Sequence, residues 1–501
     1  MATGLILLSL LFLASAVLLF VTVTRSKKPN QPPSPPKFPI IGNLHQLGSL
    51  PHRSLRLLSD KYGPLMLLHL FRIPTLIISS PELAQQILKT HDLSFAGRPQ
   101  LYSAKQLFYG CKDILFSPYG EYWRQVRKIC VLELLSNKKV KSFQRIREEE
   151  VVSMIDQLSQ SCITSSSVDL RHVLTELANS IVSRVALGKK YGGEDGNEGF
   201  FHIIREYGVL LGAFCIGDYF PSLAWVDVVT GLDGRLKKAS RTMDAFLDRV
   251  IKEHQERKEI DGQDGDDQRD FVDVLLHLQE YSEIGVEMDR DSIKAIILDM
   301  FNAATETTAM TMEWVMAELT KNSEVMKKAQ AEVRRVMAGK QKVDEDDLHQ
   351  MHYLKCVIKE TLRLHPVAPL LAPKESNTEV MLQGYSIPSK TRVIVNAWAI
   401  ARDPKSWDRP DEFLPHRFAN NPIDFKGQNF QYIPFGAGRR ACPGISFAKS
   451  TLELALANLL YFFDWKMPDG LRGEDLDMSK AGGITVSLRF PIRLVAMRHV
   501  S

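Results

Sequence analysis

Phe435-Gly436-Ala437-Gly438-Arg439-Arg440-Ala441-Cys442-Pro443-Gly444 is the stretch on which the reading of this 501-residue chain turns. An apolar pattern of helical period follows it, from Ile445 to about Phe463. A glycine-rich loop therefore delivers one cysteine to the start of a helix. Backbone N–H groups and the helix dipole at that place favour a thiolate over a thiol. Glycines without a Cβ let a flat ligand come close to the backbone. The run Gly436–Ala441 also satisfies a G-x-G-x-x-A dinucleotide fingerprint. Pro434, however, interrupts the residues before it, and no βαβ pattern surrounds it. A buried, inert cysteine is the other reading that the residues alone leave open.

The remaining cysteines are Cys111, Cys130, Cys162, Cys215 and Cys356, scattered and without a CxxC pair. They suggest free thiols in a reducing compartment rather than a disulfide framework. With 45% hydrophobic and 24% charged residues, the composition suits a globular body with a substantial core. The net charge of +4 is dispersed, so no nucleic-acid footprint is expected.

The N-terminus departs from that pattern. Gly4 to Val23 carries no charge, about the length that crosses a bilayer. Ala14-Ser15-Ala16 offers a weak signal-peptidase site, but the apolar run continues past it and no basic residue precedes it. Arg25, Lys27 and Lys28 follow at once and place the remainder on the cytosolic side. The expected organisation is an uncleaved anchor over 1–24, a basic and proline-rich spacer over 25–42, and one large domain over 43–501. Leu65–Phe71 and Thr75–Ser80 read as a hairpin, and Lys258–Arg269 as a solvated loop. Asp289 is an expected N-cap for a helix to about Asn322, and Arg392–Asn396 and Thr485–Leu488 give short strand signals. The fold class expected is mainly α with a minor β region.

Phe435, Gly438, Arg440, Cys442 and Gly444 fit the F-x-x-G-x-R-x-C-x-G signature of the cytochrome P-450 family, which the chain resembles along its length from the proline spacer onward. Pro32–Gly42, Tyr119–Ser136 and Asn396–Pro404 are similar to the A-type group of plant enzymes. The resemblance implies heme b, with Cys442 as the thiolate ligand to iron, a push that favours O–O cleavage.

Further motifs match. Glu360 and Arg363 would by themselves be an i,i+3 surface pair. The resemblance implies instead a structural lock with Arg417 of Pro415-His416-Arg417-Phe418, where His416 stands in place of the usual Glu. Trp123 and Arg127, four apart on one helix face, resemble the W-x-x-x-R element whose donors meet a heme propionate. Arg440 resembles another propionate partner. Lys374 sits where relatives carry Arg or His and lacks their geometry. Ala303-Ala304-Thr305-Glu306-Thr307-Thr308 resembles the oxygen-activation motif, in which Glu306 and Thr307 relay protons. Ala304 replaces the usual Gly there.

The resemblance thus implies an NADPH- and O2-dependent monooxygenase acting on a small lipophilic plant metabolite (a terpenoid, phenylpropanoid, alkaloid or oxime). Electrons would come from a separate NADPH-cytochrome P-450 reductase, with cytochrome b5 as a further donor, at the endoplasmic reticulum membrane. Arg439 and Lys449 read equally well as a docking face for that acidic partner and as solvated charge. A heme-thiolate rearrangement or dehydratase enzyme, and a heme-binding protein without turnover, are the alternatives; retention of the Glu306–Thr307 pair weighs against them. By family analogy the substrate pocket would draw on Leu101–Phe116, Tyr207–Ile216, Ile297–Asn302, Ala368–Leu371 and Ile484-Thr485, largely apolar stretches that core packing would also explain.

Overall fold

The computed structural model describes residues 30–499 apart from 165, 192–197, 262–268 and 282–287. The expected anchor over 1–24 lies outside the described residues. Among those that are described, no single helix is long and apolar enough to cross a membrane.

Helices dominate. Those that position the site are α1 (Glu121–Ile129), α2 (Gln144–Thr164), α3 (Leu170–Leu187), α4 (Glu198–Leu211), α5 (Arg290–Lys321), α6 (His352–Leu364) and α7 (Ile445–Phe462). Among the described residues, eleven short strands make four small sheets: β1 (Leu65–Leu70), β2 (Ile73–Ile78), β3 (Ser167–Asp169), β4 (Lys374–Glu375), β5 (Val380–Leu382), β6 (Tyr385–Ile387), β7 (Arg392–Val395), β8 (Phe463–Lys466), β9 (Lys480–Ala481), β10 (Ser487–Leu488) and β11 (Arg493–Arg498). The largest has the order β1-β2-β7-β4, with β2 and β7 parallel. Pro74 lies in β2 one residue before the pairing with β7 begins at Thr75, so its missing N–H leaves no gap in that ladder. The hairpin turn is tighter than the sequence suggested, with β2 starting at Ile73.

The α5 helix is the axis of the molecule and packs most extensively against α3. Asp289 caps it by accepting the Ser292 N–H, Asp291 lies in its first turn and Lys321 in its last, all complementary to the helix dipole. At 32 residues it rises about 48 Å. Every residue from Ser292 to Phe301 is buried, as are Thr308, Ala309 and Thr311–Leu319. Between these blocks Ala303 and Glu306 are exposed. A helix buried on all sides except for one turn in its middle is passing the wall of an internal opening.

Three further boundaries differ from expectation. The helix Leu232–Asp261 continues into the stretch read as a loop, because the helix-breaking glycines begin only at Gly262; residues 262–268 are outside the described set. The proline segment belongs, from Asn30 on, to the folded body. Proline carbonyls serve as acceptors there: Pro33 for the Leu67 N–H at 2.8 Å, and Pro36 for Asn43 Nδ2 at 3.2 Å. Only Ser487–Leu488 of the Thr485–Leu488 signal is strand.

Replacing Asp289 by Ala removes the α5 cap and the carboxylate that Lys112 meets. The expected cost is about 1 kcal/mol of stability, seen as a lower apparent melting midpoint that Asp289→Asn largely restores.

Candidate heme-thiolate site

The cysteine loop is held by its backbone. Cys442 N–H donates to the Phe435 carbonyl at 3.0 Å, and Arg439 N–H to Asp92 Oδ2 at 2.9 Å. Gly438 has φ +73°, and a Cβ there would lie 2.1 Å from the Leu88 carbonyl oxygen. That glycine is required by close packing of the loop on Leu88, rather than by ligand approach alone. Cys442 is exposed by surface area, yet protein encloses it so deeply that burial pushes its thiol above the ordinary range. The Gly444 N–H and the Arg127 charge act against that shift. Thus the helix start does favour the thiolate, but burial outweighs it until a metal supplies positive charge. A side chain both accessible and enclosed faces an internal opening.

Beside the loop lies an excess of buried positive charge. Lys374 on β4 donates to the Phe95 carbonyl at 3.3 Å; burial, then Arg98 and Arg440, bring its pKa down to about 7. Burial also lowers Arg98 to about 10 and Arg440 to about 9, and it lowers Arg127. Arg98 braces two segments, donating to the carbonyls of Leu115, Ala372 and Pro373 at 2.7–2.9 Å. Arg440 donates to Ala96, Ile114 and Ser117 at 2.6–3.0 Å. Arg127 donates to the Ala441 carbonyl at 2.5 Å. Lys374 and Arg440 are lowered by neighbouring cations, offset in part by Asp92 and Asp113, and this basic edge would fit a ligand carrying carboxylates, as heme does with its propionates.

Trp123 is placed differently from expectation. Its one indole N–H, expected at a propionate, donates to the Ile114 carbonyl at 2.9 Å. The ring instead supports the Arg440 guanidinium, 4.0 Å above its centroid. Arg98 was missed by sequence reasoning; Gly97-Arg98-Pro99 offers no periodic or motif signal.

On α5, Thr307 Oγ1 donates to the Ala303 carbonyl at 2.5 Å and Thr311 Oγ1 to the Thr307 carbonyl at 2.8 Å. Two hydroxyls thus compete with the helix's own ladder at the exposed turn. Thr305 Oγ1 is buried without a hydrogen-bond partner among the described residues. Burial raises the Glu306 carboxyl, with Arg205 opposing, and Glu306 lies against Gly208 of α4, where a Cβ would be 3.4 Å from Oε2.

Glu360, Arg363 and Arg417 do come together. Arg363 is bidentate to Glu360 at 2.8 and 2.9 Å, and Arg417 Nε reaches Glu360 Oε1 at 2.9 Å. Arg439 pairs with Asp92 at 3.5 Å and Lys449 with Glu453 at 3.8 Å.

The family model for cytochrome P450 matches residues 32–490. The chain belongs to the cytochrome P450 family. It is 60% identical to cytochrome P450 71A1 of Persea americana over 99% of this chain and 100% of that protein. It is 50% identical to norfluorocurarine oxidase of Strychnos sp over 93% of each. The fold is similar to a zebrafish cytochrome P450 solved with progesterone, with a TM-score of 0.76 and 28% identity over 89% of this chain and 99% of that one. This cytochrome P450 is thus a monooxygenase, and its family implies heme iron and electrons supplied by a reductase.

Glu360→Ala would leave two arginines without their shared carboxylate, a loss of about 3–5 kcal/mol for a broken buried pair. The expected outcome is little or no folded, heme-loaded protein, measured as the ratio of heme absorbance to protein.

Proposed function

We propose that this cytochrome P450 inserts one oxygen atom into a small lipophilic plant specialised metabolite (a terpenoid, phenylpropanoid, alkaloid or oxime), using NADPH through a separate reductase, with cytochrome b5 as a further donor. The observation that carries the reading is the exposed turn on α5, with Glu306 and Thr307, in a helix otherwise buried on both sides. Similarity to norfluorocurarine oxidase supports a plant metabolite as substrate.

In this reading Cys442 supplies the thiolate ligand to the iron of heme b, which furnishes the electron push for O–O cleavage when bound. Arg98, Arg127, Lys374 and Arg440 hold the propionates. Trp123 supports them by holding Arg440 in place. Glu360, Arg363 and Arg417 fix the segments beneath the cysteine loop. Thr307 holds a proton at Oγ1 on the oxygen side, and Glu306, whose raised carboxyl carries a proton more readily than a surface one, replenishes it. Residues 1–24 anchor the chain in the endoplasmic reticulum membrane with the domain on the cytosolic side.

Two experiments test this. The reduced carbon-monoxide complex should show the long-wavelength band of a heme-thiolate, and Cys442→Ser should abolish it; an unchanged spectrum would end the proposal. With reductase and a substrate found by optical titration across terpenoids, phenolics and alkaloids, Thr307→Ala should keep heme and substrate affinity. It should nevertheless divert NADPH electrons into hydrogen peroxide, lowering product per NADPH on the order of a hundredfold at most, since water substitutes in a roomy site. Product, peroxide and NADPH are measured together. Coupling equal to the parent removes Thr307 from the relay, and turnover without oxygen points to a rearrangement enzyme.

A further inference from the structure

Strands β9 and β10 form a hairpin with two paired positions, Ser487 with Ala481 and Leu488 with Lys480. One further bond, from Arg489 N–H to the Ser479 carbonyl at 2.8 Å, extends that ladder. A hairpin this short is marginal by itself. Its tip, Gly482-Gly483-Ile484, is exposed, and Ile484 keeps 51% of its surface. The place of Ile484 is therefore set by bonds that reach the hairpin from outside.

Two such anchors bracket the tip. After it, the Val486 carbonyl accepts from Trp314 Nε1 of α5 at 3.1 Å, and Val486 N–H donates to the Val367 carbonyl at 2.9 Å. Before it, Lys480 Nζ lies 3.0 Å from Nδ1 of His365, the residue that ends α6. His365 Nε2 in turn lies 2.6 Å from Glu318 Oε1 of α5, and Glu318 Oε2 accepts from Asn322 Nδ2 at 3.0 Å. The Trp314 ring stacks on His365 at 4.1 Å with an interplanar angle of 3°, and Lys480 Nζ stands 5.0 Å from the centre of the Trp314 ring. Trp314 thus belongs to both anchors.

Donor counting fixes the direction of the chain. An ammonium has only protons to give, so His365 Nδ1 accepts. A neutral ring then carries its proton on Nε2, which donates to the Glu318 carboxylate. Burial, Lys480, Arg402, Arg363 and Arg53 all disfavour a charged His365, in agreement with that direction. Lys321, Lys480 and Asn322 act to keep Glu318 ionised against burial. The positive and negative ends are joined through a neutral ring whose two nitrogens are both used.

The tip meets the site along α4. A Cβ at Gly208 of α4 would lie 3.4 Å from Glu306 Oε2 on the exposed turn of α5. One at Gly212, four residues on and still bonded to the Gly208 carbonyl, would lie 3.6 Å from Ile484 Cγ1. Glu306 and Ile484 therefore border adjacent turns of one helix.

We propose that Lys480 and His365 are positioning residues for the substrate: the chain Lys480–His365–Glu318 holds the tip of the β9–β10 hairpin, and Ile484 with it, at the wall of the opening beside Glu306. The reach to the substrate rests on the monooxygenase reading of that opening; the chain itself rests on hydrogen bonds of the fold.

The test uses the heme-loaded full chain. In the wild type, the peptide covering 480–488 should exchange its amide hydrogens on the order of a hundredfold more slowly than its intrinsic rate. Lys480→Met keeps the stem along the Trp314 ring and removes the donor. It should quicken that exchange about tenfold, as loss of one hydrogen bond from a charged group does. Lys480→Arg keeps a donor and should return the exchange most of the way. Optical titration supplies the link to the opening. Imidazole reports the heme iron alone, whereas 1-dodecylimidazole also lays an alkyl chain along the walls. Lys480→Met should weaken 1-dodecylimidazole several-fold and leave imidazole unchanged, with Lys480→Arg again close to the wild type. An unprotected peptide in the wild type, exchange that Lys480→Met leaves unchanged, or exchange that Lys480→Arg does not restore would each overturn the proposal. So would quickened exchange with 1-dodecylimidazole affinity at the wild-type level. If Lys480→Met does not fold, Lys480→Gln, whose amide ends one bond short, takes its place, and the wild-type protection remains a separate arm. A wild type with neither the carbon-monoxide band nor an imidazole spectrum would sink the heme-thiolate reading, while exchange that still responds to Lys480→Met would leave the anchored hairpin standing.

Discussion

The Glu360 carboxylate is the constraint on which the proximal half of the structure depends. Wholly buried, it accepts four hydrogen bonds, two from Arg363, one from Arg417 and one from the Leu414 N–H. Arg363 spends its remaining donors on the carbonyls of Ala401, Pro410 and Glu412. Both guanidinium groups lie 5–6 Å from the Trp407 ring centroid. A charge so far from water is tolerable only if every lone pair and donor is met. The segments around 401, 410 and 414 must accordingly converge on α6. The cysteine loop follows this region directly in the chain, with Tyr432 hydroxyl bound to the Lys359 carbonyl of α6 at 2.7 Å just before it.

From there the constraint passes to the other side of the loop. Gly438 packs on the Leu88 carbonyl, Arg439 N–H is held by Asp92, and Arg440 reaches three carbonyls at residues 96, 114 and 117. Arg440 thereby links the cysteine to the segment that Asp299 fastens to α5. The rigidity of the site arises from side chains that saturate backbone carbonyls of irregular segments, since neither a helix nor a sheet ladder is present there to do so.

This explains what the sequence could and could not disclose. The cap of α5 was legible because Asp289 and the following residues carry their own local chemistry. The parallel pairing of β2 with β7 was not, because strands of six and four residues over 300 positions apart leave no local mark. Glu360 and Arg363 looked like a surface pair by spacing, and only resemblance assigned them a third partner. Their complete burial depends on Arg417, which no periodicity connects to them. Trp123 was placed on the right helix face, but the carbonyl its N–H meets belongs to an irregular segment, where donor and acceptor matching is decided in three dimensions. Arg98 escaped notice for the same reason. Its bonds go to carbonyls some 17 and 274 residues away.

Buried charge in this fold falls into two classes, and the division separates architecture from chemistry. Arg147 meets Glu345, Lys294 meets Asp244 and Asp248, Glu313 meets Arg171, and Arg363 meets Glu360. Each is neutralised within the protein; the first three join separate elements, and the Arg363–Glu360 pair of α6 does so through Arg417 and the carbonyls of 401, 410 and 412. Lys374 and Arg98, both under a tenth exposed, donate only to carbonyls and make no ion pair among the described residues, although Asp92 acts on the first and Asp113 on the second. Burial is the first cause of their lowered proton affinity, and the nearby carboxylates offset it only in part. Fold stability alone would not select such an arrangement, since a buried cation without a counter-ion is destabilising by several kcal/mol. It persists where an anionic group completes it. Incompletely paired cations beside an enclosed but accessible cysteine would therefore suit a ligand that bears carboxylates and takes a thiolate, as the family's heme does.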